Sequence, residues 1–203
     1  MSVADRVRLG EVTVLADDWG VLKKTVFDFR RADGSWQRQT RETYDRGNGA
    51  VILPYDPVAG RVILIRQFRF PAFVSGCDEL MIEAPAGLLD AAAPEERIRA
   101  ELEEEAGLRV REVERLWDVF MSPGSVTERL FFFVARYDSS HRAGTGGGIA
   151  AEGEDIEVLD LAFAEALQMT RDGRIRDAKT IMLLQHAALT IFAGRSGAEP
   201  ASA

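Results

Sequence analysis

The chain contains very little cysteine and histidine. Cys77 is the only cysteine, and the two histidines are His141 and His186. A single cysteine excludes an internal disulfide bond and a zinc site built from several cysteines, and it fits a reducing cytoplasm. His141 lies in a polar segment and His186 in an amphipathic one, so we expect neither to be catalytic.

Long hydrophobic runs and dense basic blocks are also missing. The strongest apolar run lies near Leu130–Ala135, whereas a membrane-spanning helix needs about 20 residues. A net charge of −8 without a Lys/Arg block argues against nucleic acids and anionic membranes as partners. The first ten residues show no apolar core of a signal peptide. We therefore expect a cytoplasmic protein with neither nucleic-acid nor membrane partners.

What the chain does contain is enough apolar sequence for one sizeable core, since 46% of its 203 residues are hydrophobic. Strand-like runs dominate the first part, and helix-like runs follow. The predicted strands are Val21–Phe29, Ser35–Tyr44, Ala50–Tyr55, Arg61–Phe68, Glu79–Glu83, Val113–Met121, Glu128–Arg136 and Ile156–Leu161. The predicted helices are Pro94–Ala106, Phe163–Thr170 and Ala178–Ala193. This order predicts an α+β fold with a mixed sheet between helices.

The helix predicted over Pro94–Ala106 has clear boundaries and a mixed buried face. Proline suits the first turn of a helix, and Gly107 is a good terminating residue. On a helical wheel Glu105 falls only about 20° from the apolar Ile98, and Glu101 lies one turn before Glu105. The spacing therefore turns at least two carboxylates towards the core.

Two readings of this acidic helix stay open on the residues alone. A run of acids is usually a solvated surface. Carboxylates that lean towards a core are costly to bury, and a divalent cation with oxygen ligands such as Mg²⁺ removes that cost. The position of Glu105 favours the metal site.

The segment Ala86–Leu108 resembles the box of the Nudix hydrolases. The matching positions are Gly87, Glu101, Leu102, Glu104, Glu105, Gly107 and Leu108. Three features depart from the pattern, because the loop after Gly87 is one residue short, Ala93 replaces a glutamate and Ala100 replaces an arginine. Without that arginine, we expect the metal itself to orient Glu101 or Glu104, and metal affinity to be weaker than in relatives.

Further short motifs extend the resemblance over about residues 15–190. They are Tyr44–Ala50, Ile65–Arg69, Glu83–Gly87, Met121–Gly124, Glu154–Glu157 and Ile175–Thr180. These motifs are similar to the nucleoside-diphosphate-sugar branch of the family, and most of all to bacterial GDP-mannose pyrophosphatases, relatives of the ADP-ribose pyrophosphatases. The short loop after Gly87 is also a feature of that subgroup.

The resemblance implies an architecture. The expected fold is a Nudix-type α/β/α sandwich with a mixed sheet over residues 46–193, preceded by an N-terminal antiparallel β-unit over residues 1–45. That unit would contribute to a homodimer and to the substrate site. Residues 194–203 are expected to form a flexible tail.

The resemblance also implies an activity and the residues that carry it. The expected reaction is Mg²⁺-dependent hydrolysis of a nucleoside diphosphate sugar, GDP-mannose giving GMP and mannose 1-phosphate, with Mn²⁺ as a possible substitute. The implied metal ligands are Glu101, Glu105, Glu154 and the carbonyl of Ala86, and the implied catalytic residues are Glu152 as general base and Glu104 in support. The glycine-rich run Gly144–Gly148 lacks the Gly-Lys-Ser/Thr ending of a phosphate-binding loop, which excludes that motif. We expect it to be a mobile arm that carries Glu152 and Glu154, and a flexible connector stays open as the alternative.

Substrate contacts are implied more weakly. The implied positions are Trp19, Thr40, Arg41, Glu42, Arg69, Gly87, Leu88, Glu128 and Lys179. Each has an ordinary structural alternative. Trp19 could be half-buried packing, Arg41 and Glu42 could be a cross-strand pair, and Glu128 could be a solvated residue at the start of a strand.

Two other functions stay open at this point. An ADP-ribose pyrophosphatase would need the same metal helix with a different base pocket. A non-catalytic nucleotide-binding module on the same fold would explain Ala100, although the presence of the acids Glu101, Glu104, Glu105, Glu152 and Glu154 speaks against it.

Overall fold

The computed structural model describes residues 2–194 of the chain. The expected tail therefore lies outside the described residues, except for Gly194. The strands are β1 Val7–Asp17, β2 Val21–Arg30, β3 Trp36–Asp45, β4 Gly49–Asp56, β5 Arg61–Gln67, β6 Met81–Glu83, β7 Ala86–Leu88, β8 Glu114–Phe120, β9 Arg129–Arg136 and β10 Glu157–Ala162. The α-helices are α1 Phe70–Val74, α2 Pro94–Ala106, α3 Phe163–Arg171 and α4 Ala178–Leu189.

Contacts along the chain define two compact units. The first contains the residues up to Asn48 together with Val119–Leu130. The second contains Gly49–Asp118 and the residues from Phe131 onward.

The first unit is built on an antiparallel sheet in the order β1-β2-β3. Strand β2 pairs along its whole length with β3, and the hairpin between them turns at Asp33-Gly34. Strand β1 was not predicted. Its side chains are nearly all exposed, so it lacks the alternation of buried and exposed residues that identifies a strand in a sequence.

The second unit contains the core. The larger sheet has the order β10-β5-β4-β9-β8, with β6 added beside β5 and β7 beside β4. Strands β4 and β5 are buried on both faces, which explains their almost continuous hydrophobic sequences. Helix α2 covers one face, where its apolar stripe packs on Ala50, Ile52 and Ile63. The predicted α+β fold with a mixed sheet is confirmed.

Three short features differ from the sequence prediction. Helix α1 and strand β7 were not predicted, and the last helix ends at Leu189 instead of Ala193. Helix α4 stops there because Thr190 leaves helical geometry and its hydroxyl donates to the carbonyl of His186 at 2.8 Å. Strand β7 forms because its backbone pairs with β4, with Gly87 opposite Ala50.

Candidate active site

Helix α2 is the centre of the candidate site, and its bounds are those predicted from the sequence. Pro94 begins the helix, Glu95 and Glu96 lie at its positive end, and Gly107 ends it in the left-handed conformation. The apolar stripe of α2 packs on the sheet beneath it. This packing fixes the azimuth of the helix and therefore the direction of its acidic side chains.

Glu101 and Glu105 are buried carboxylates. Only 5% of Glu101 and 2% of Glu105 is exposed to solvent. Burial raises the pKa of Glu101 to about 7, an effect that Arg97 opposes and that the charges of Glu104, Glu154 and Glu152 increase. Burial, followed by the charge of Glu101, raises the pKa of Glu105 well above its ordinary value. Two acids held in this way form a site that favours a cation.

The turn before α2 comes very close to these acids. The backbone N–H of Ala86 donates to Oε2 of Glu105 at 2.9 Å. A β-carbon on Gly87 would lie 1.6 Å from Oε1 of Glu101. Gly87 is therefore required for the carboxylate of Glu101 to lie against the backbone of β7.

Arg97 is a site residue that sequence analysis missed. Its Nη2 lies 2.5 Å from Oε1 of Glu101, its Nη1 lies 3.7 Å from Oε2 of Glu104, and its Nε donates to the carbonyl of Leu88 at 3.1 Å. The expectation that only the metal orients Glu101 or Glu104 is wrong, because Arg97 already holds both. The spacing of four residues between Arg97 and Glu101 is the sequence signal that could have revealed the pair.

The glycine-rich run is tied to the end of α2. The N–H groups of Gly147 and Gly148 donate to the carbonyls of Glu105 and Glu104 at 3.0 Å and 3.1 Å. A β-carbon on Gly146 would lie 2.4 Å from the carbonyl oxygen of Glu105. The glycines therefore allow close approach to the last helical carbonyls, and this contact differs from the mobile arm expected from the sequence.

The run delivers Glu152 and Glu154 to the same neighbourhood by different means. Oε2 of Glu154 accepts from the N–H of Ile149 at 2.8 Å, which holds this side chain, whereas Glu152 is exposed at the end of a 3-10 turn. The backbone between the two acids is not extended, because Gly153 is left-handed with φ of 80°. Both carboxylates are nevertheless close enough to raise the pKa of Glu101.

A second charged cluster is organised around Glu83, another residue that sequence analysis did not single out. Arg69 donates to both oxygens of Glu83, at 2.9 Å and 3.1 Å, and Lys179 donates to Oε2 of Glu83 at 2.7 Å. Lys179 also donates to Asp177 at 2.8 Å. Burial acts to raise the pKa of Glu83, but Lys179 and Arg69 outweigh it and the pKa lies below its usual value. The implied substrate residues Arg69 and Lys179 are therefore brought together.

Most of the other implied substrate residues belong to the first compact unit. Trp19 is 79% exposed, and Thr40, Arg41 and Glu42 lie on exposed positions of β3. Strand register places Glu42 opposite Lys24 and Arg41 opposite Thr25, so Arg41 and Glu42 do not pair with one another across strands. Glu128 lies 3.4 Å from Arg46 in an ion pair. Leu88, in the second unit, contributes its carbonyl to Arg97.

The donor set fits a hard divalent cation. Two buried carboxylates lie beside a backbone turn that only glycine allows to approach them, and carboxylate and carbonyl oxygens are the ligands such ions prefer. Among residues 2–194, no group of three or more acidic, histidine or cysteine side chains is arranged to hold a metal ion by itself. The protein ligands would therefore be completed by backbone oxygen, water or substrate phosphate.

No helix within the described part of the chain is long and apolar enough to cross a membrane.

The metal-free protein should gain stability at acid pH through Glu101. The pKa of this carboxyl in the fold is about 7 against an ordinary 4.5, so the folded state binds the proton more tightly than the unfolded state does. The resulting stabilisation is complete below pH 4.5 and is lost as the pH rises through about 7. Melting temperatures measured in chelator between these limits should rise towards acid pH more steeply in wild type than in Glu101→Gln. Equal slopes would contradict the prediction.

Two family models match adjoining parts of the chain and together cover residues 6–184. The model described as "GDP-mannose pyrophosphatase NudK N-terminal domain" matches residues 6–44, and the model described as "NUDIX domain" matches residues 45–184. The acidic helix and the second match define the class of protein: the chain belongs to the Nudix family of hydrolases. Nudix hydrolases generally use divalent metal ions.

Individual relatives are similar along most of the chain. A GDP-mannose pyrophosphatase from Pectobacterium atrosepticum is 57% identical over 178 residues, which cover 87% of this chain and 91% of the relative. Proteins of the same name from Klebsiella pneumoniae and Cronobacter sakazakii are 49% and 48% identical, covering 85% and 89% of this chain and 87% and 94% of the relatives. The family predicted from the sequence motifs is confirmed.

Proposed function

We propose that this protein hydrolyses GDP-mannose to GMP and mannose 1-phosphate, with Mg²⁺ as its metal ion and Mn²⁺ as a possible substitute. The observation that carries the proposal is the pair of buried carboxylates, Glu101 and Glu105, against strand β7. Relatives that share about half or more of their residues with this chain are named for the same activity. A nucleotide sugar is the substrate class that both observations support.

The metal-binding residues in this proposal are Glu101, Glu105 and the carbonyl of Ala86, with Glu154 as a further ligand and Glu104 in support. A bound Mg²⁺ would neutralise charge on the diphosphate and so assist attack by water. Before the ion binds, Arg97 and the N–H of Ala86 hold the carboxylates in place. The chain thus arranges its acids in advance instead of gathering them around the ion.

The proton of the attacking water needs its own acceptor, and we assign Glu152 to this role. Glu101 and Glu105 are committed to the ion, and Glu154 is held by the N–H of Ile149. The side chain of Glu152 is exposed and, among residues 2–194, it makes no such contact with the backbone. Its charge acts on Glu101. An exposed carboxylate whose charge acts on a proposed metal ligand suits a general base that contacts the substrate directly.

The diphosphate is held by cations fixed to a buried anchor. The side chain of Arg69 is partly exposed, and Glu83 holds its guanidinium in a bidentate pair. Lys179 is held by Glu83 and Asp177. Gly87 and Leu88 are further substrate contacts in this proposal, and Glu128 is another.

The first unit is proposed to act on a second copy of the chain. Residues 1–45 form the dimer contact, and Trp19, Thr40, Arg41 and Glu42 reach the partner's substrate site. Strand β1 supports this proposal because it exposes the apolar side chains Leu9, Val12, Val14 and Leu15. Residues 46–193 form the hydrolase domain in this division of the chain, and the cytoplasm is the proposed location.

Mixing two inactive variants should restore activity if sites are shared between subunits. Arg41→Glu and Glu101→Gln should each be nearly inactive, but a mixed dimer has one site with both residues intact. After subunit exchange at equal concentrations, about a quarter of the sites, and so about a quarter of wild-type activity, should return. The control mixture of Glu101→Gln with Glu105→Gln should stay inactive. No recovery in the first mixture, with exchange demonstrated, would contradict the shared site.

The activity itself is tested by a panel of nucleoside diphosphate compounds assayed with Mg²⁺ and with chelator, identifying both products. We expect GDP-mannose to have the highest kcat/KM, with GMP and mannose 1-phosphate as products and no turnover in chelator. A higher kcat/KM for ADP-ribose would identify an ADP-ribose pyrophosphatase instead. Nucleotide binding without hydrolysis of any compound would identify a non-catalytic module.

A further inference from the structure

Among the described residues, Arg97 is the only side chain of α2 that contacts both Glu101 and Glu104 and also a backbone carbonyl outside the helix. Its guanidinium reaches Glu101 four residues later and Glu104 seven residues later, at 2.5 Å and 3.7 Å. Residues spaced by four and seven share one face of a helix. Its third contact, from Nε to the carbonyl of Leu88 at 3.1 Å, leaves the helix and joins it to strand β7.

We propose that Arg97 is the positioning residue of the metal helix in this chain. Its guanidinium fixes Glu101 and Glu104 before any metal ion binds. Arg97 thereby supplies, from about one turn earlier in the helix, the positive charge that is missing at Ala100. This inference rests on the proposed function in one respect, namely that Glu101 is a metal ligand. It is independent of which nucleotide sugar is hydrolysed.

The distribution of charge on α2 explains why these two acids need such a residue. Four glutamates occur within five residues, and like charges three or four residues apart on a helix repel. Glu103 pairs with Arg109, and Glu105 accepts the N–H of Ala86. Arg97 is the cation that lies against the remaining two, Glu101 and Glu104.

The shape of the guanidinium matters as well as its charge. Nε is held by the Leu88 carbonyl, so the two terminal nitrogens project towards the glutamates from a fixed plane. A lysine carries the same charge as a single point and cannot reach three acceptors in this way. The carbonyl of Leu88 thus sets the direction of Arg97, and Arg97 sets the direction of the glutamates.

The test is Mn²⁺ binding to the full-length, substrate-free protein, measured by calorimetry. Removing a group that orients a metal ligand typically lowers metal affinity about 10-fold to 100-fold, and we expect a loss in this range for Arg97→Met. Arg97→Lys should show most of the same loss. The matched control is Arg99→Met on the same helix, which should bind Mn²⁺ within about twofold of wild type. Arg97→Met combined with Ala100→Arg should recover affinity.

Each alternative result overturns the inference. Unchanged affinity in Arg97→Met would show that the contacts do not position the ligands. Tighter binding would show that Arg97 competes with the metal ion. Cooperative melting of each variant in chelator shows that the fold is intact, and Arg97→Lys serves if Arg97→Met fails that check. A wild-type protein that binds no Mn²⁺ overturns the metal site and the inference together, whereas Mn²⁺ binding without GDP-mannose hydrolysis overturns only the proposed substrate.

Discussion

Replacing Glu152 by glutamine should lower kcat by about 10²-fold to 10⁴-fold and leave KM almost unchanged, because general-base catalysis contributes rate enhancements of this size. Glutamine keeps the shape of the side chain but cannot accept the proton of the attacking water. Glu152 is exposed at the end of its 3-10 turn, so the substitution removes no described packing or backbone contact of the side chain. The measurement is steady-state kinetics with GDP-mannose at saturating Mg²⁺.

Two neighbours separate this role from others in the same segment. Glu154→Gln should instead raise the Mg²⁺ concentration needed for half-maximal rate, because Glu154 is proposed as a ligand. Asp155→Asn is the matched control, since it changes an exposed acid in the same segment, and it should leave kcat and the Mg²⁺ requirement nearly as in wild type. If Glu152→Gln keeps more than about a tenth of the wild-type kcat, another group is the base.

The variant Gly87→Ala should fold normally and bind its metal ion more weakly than wild type does. The added β-carbon would meet the carboxylate of Glu101, with 1.6 Å to Oε1, and that flexible side-chain end must move aside. The backbone of Gly87 does not adopt a positive φ, so alanine meets no strain there. We expect the free energy of unfolding to change by no more than about 1 kcal/mol. Mn²⁺ affinity should fall at least about tenfold, because displacing a metal ligand lowers affinity more than removing a group that only orients the ligand.

The control for this substitution is Gly144→Ala. A β-carbon at Gly144 meets nothing within 4 Å, and its φ is not positive. Calorimetry with Mn²⁺ and melting in chelator, performed on both variants, separate loss of the ligand from a general effect of replacing glycine. Retention of wild-type Mn²⁺ affinity by Gly87→Ala would show that Glu101 does not bind the ion from its position beside β7.

The central helix could be predicted to the residue because its signals are local. Pro94 begins it, Gly107 ends it, and Ile98, Leu102 and Ala106 repeat at the helical period. Strands β4 and β5 were predicted within a residue or so because their hydrophobic runs are buried on both faces. In each case the information lies within the element itself.

Features that depend on distant partners could not be predicted in this way. Strand β7 is three residues in a Pro/Ala/Gly segment typical of a turn, and only its pairing with β4 makes it a strand. The contact of the glycine-rich run with the carbonyls of Glu104 and Glu105 joins segments about forty residues apart, so the run by itself indicates only flexibility.

The same difference between local signals and distant partners applies to the residues of the candidate site. Glu101 and Glu105 were identified from spacing on one helix, and Glu104 from the resemblance to the Nudix box. Glu83 was not singled out, because its partners lie 14 residues away at Arg69 and 96 residues away at Lys179. Arg97 lies between these cases, since its i,i+4 spacing to Glu101 is visible in the sequence but its contact with Leu88 is not.

In the proposed site, the sharing of Glu83 by Arg69 and Lys179 means that binding of the substrate's charge cannot be altered one residue at a time. Arg69 and Lys179 come from different ends of the second unit, yet one carboxylate sets the position of both. Loss of Arg69 would leave Glu83 paired with Lys179 alone, and loss of Lys179 would leave Glu83 paired with Arg69 alone. Substitutions at the two positions should therefore be non-additive, and an altered enzyme for a substrate of different charge would have to change all three residues together.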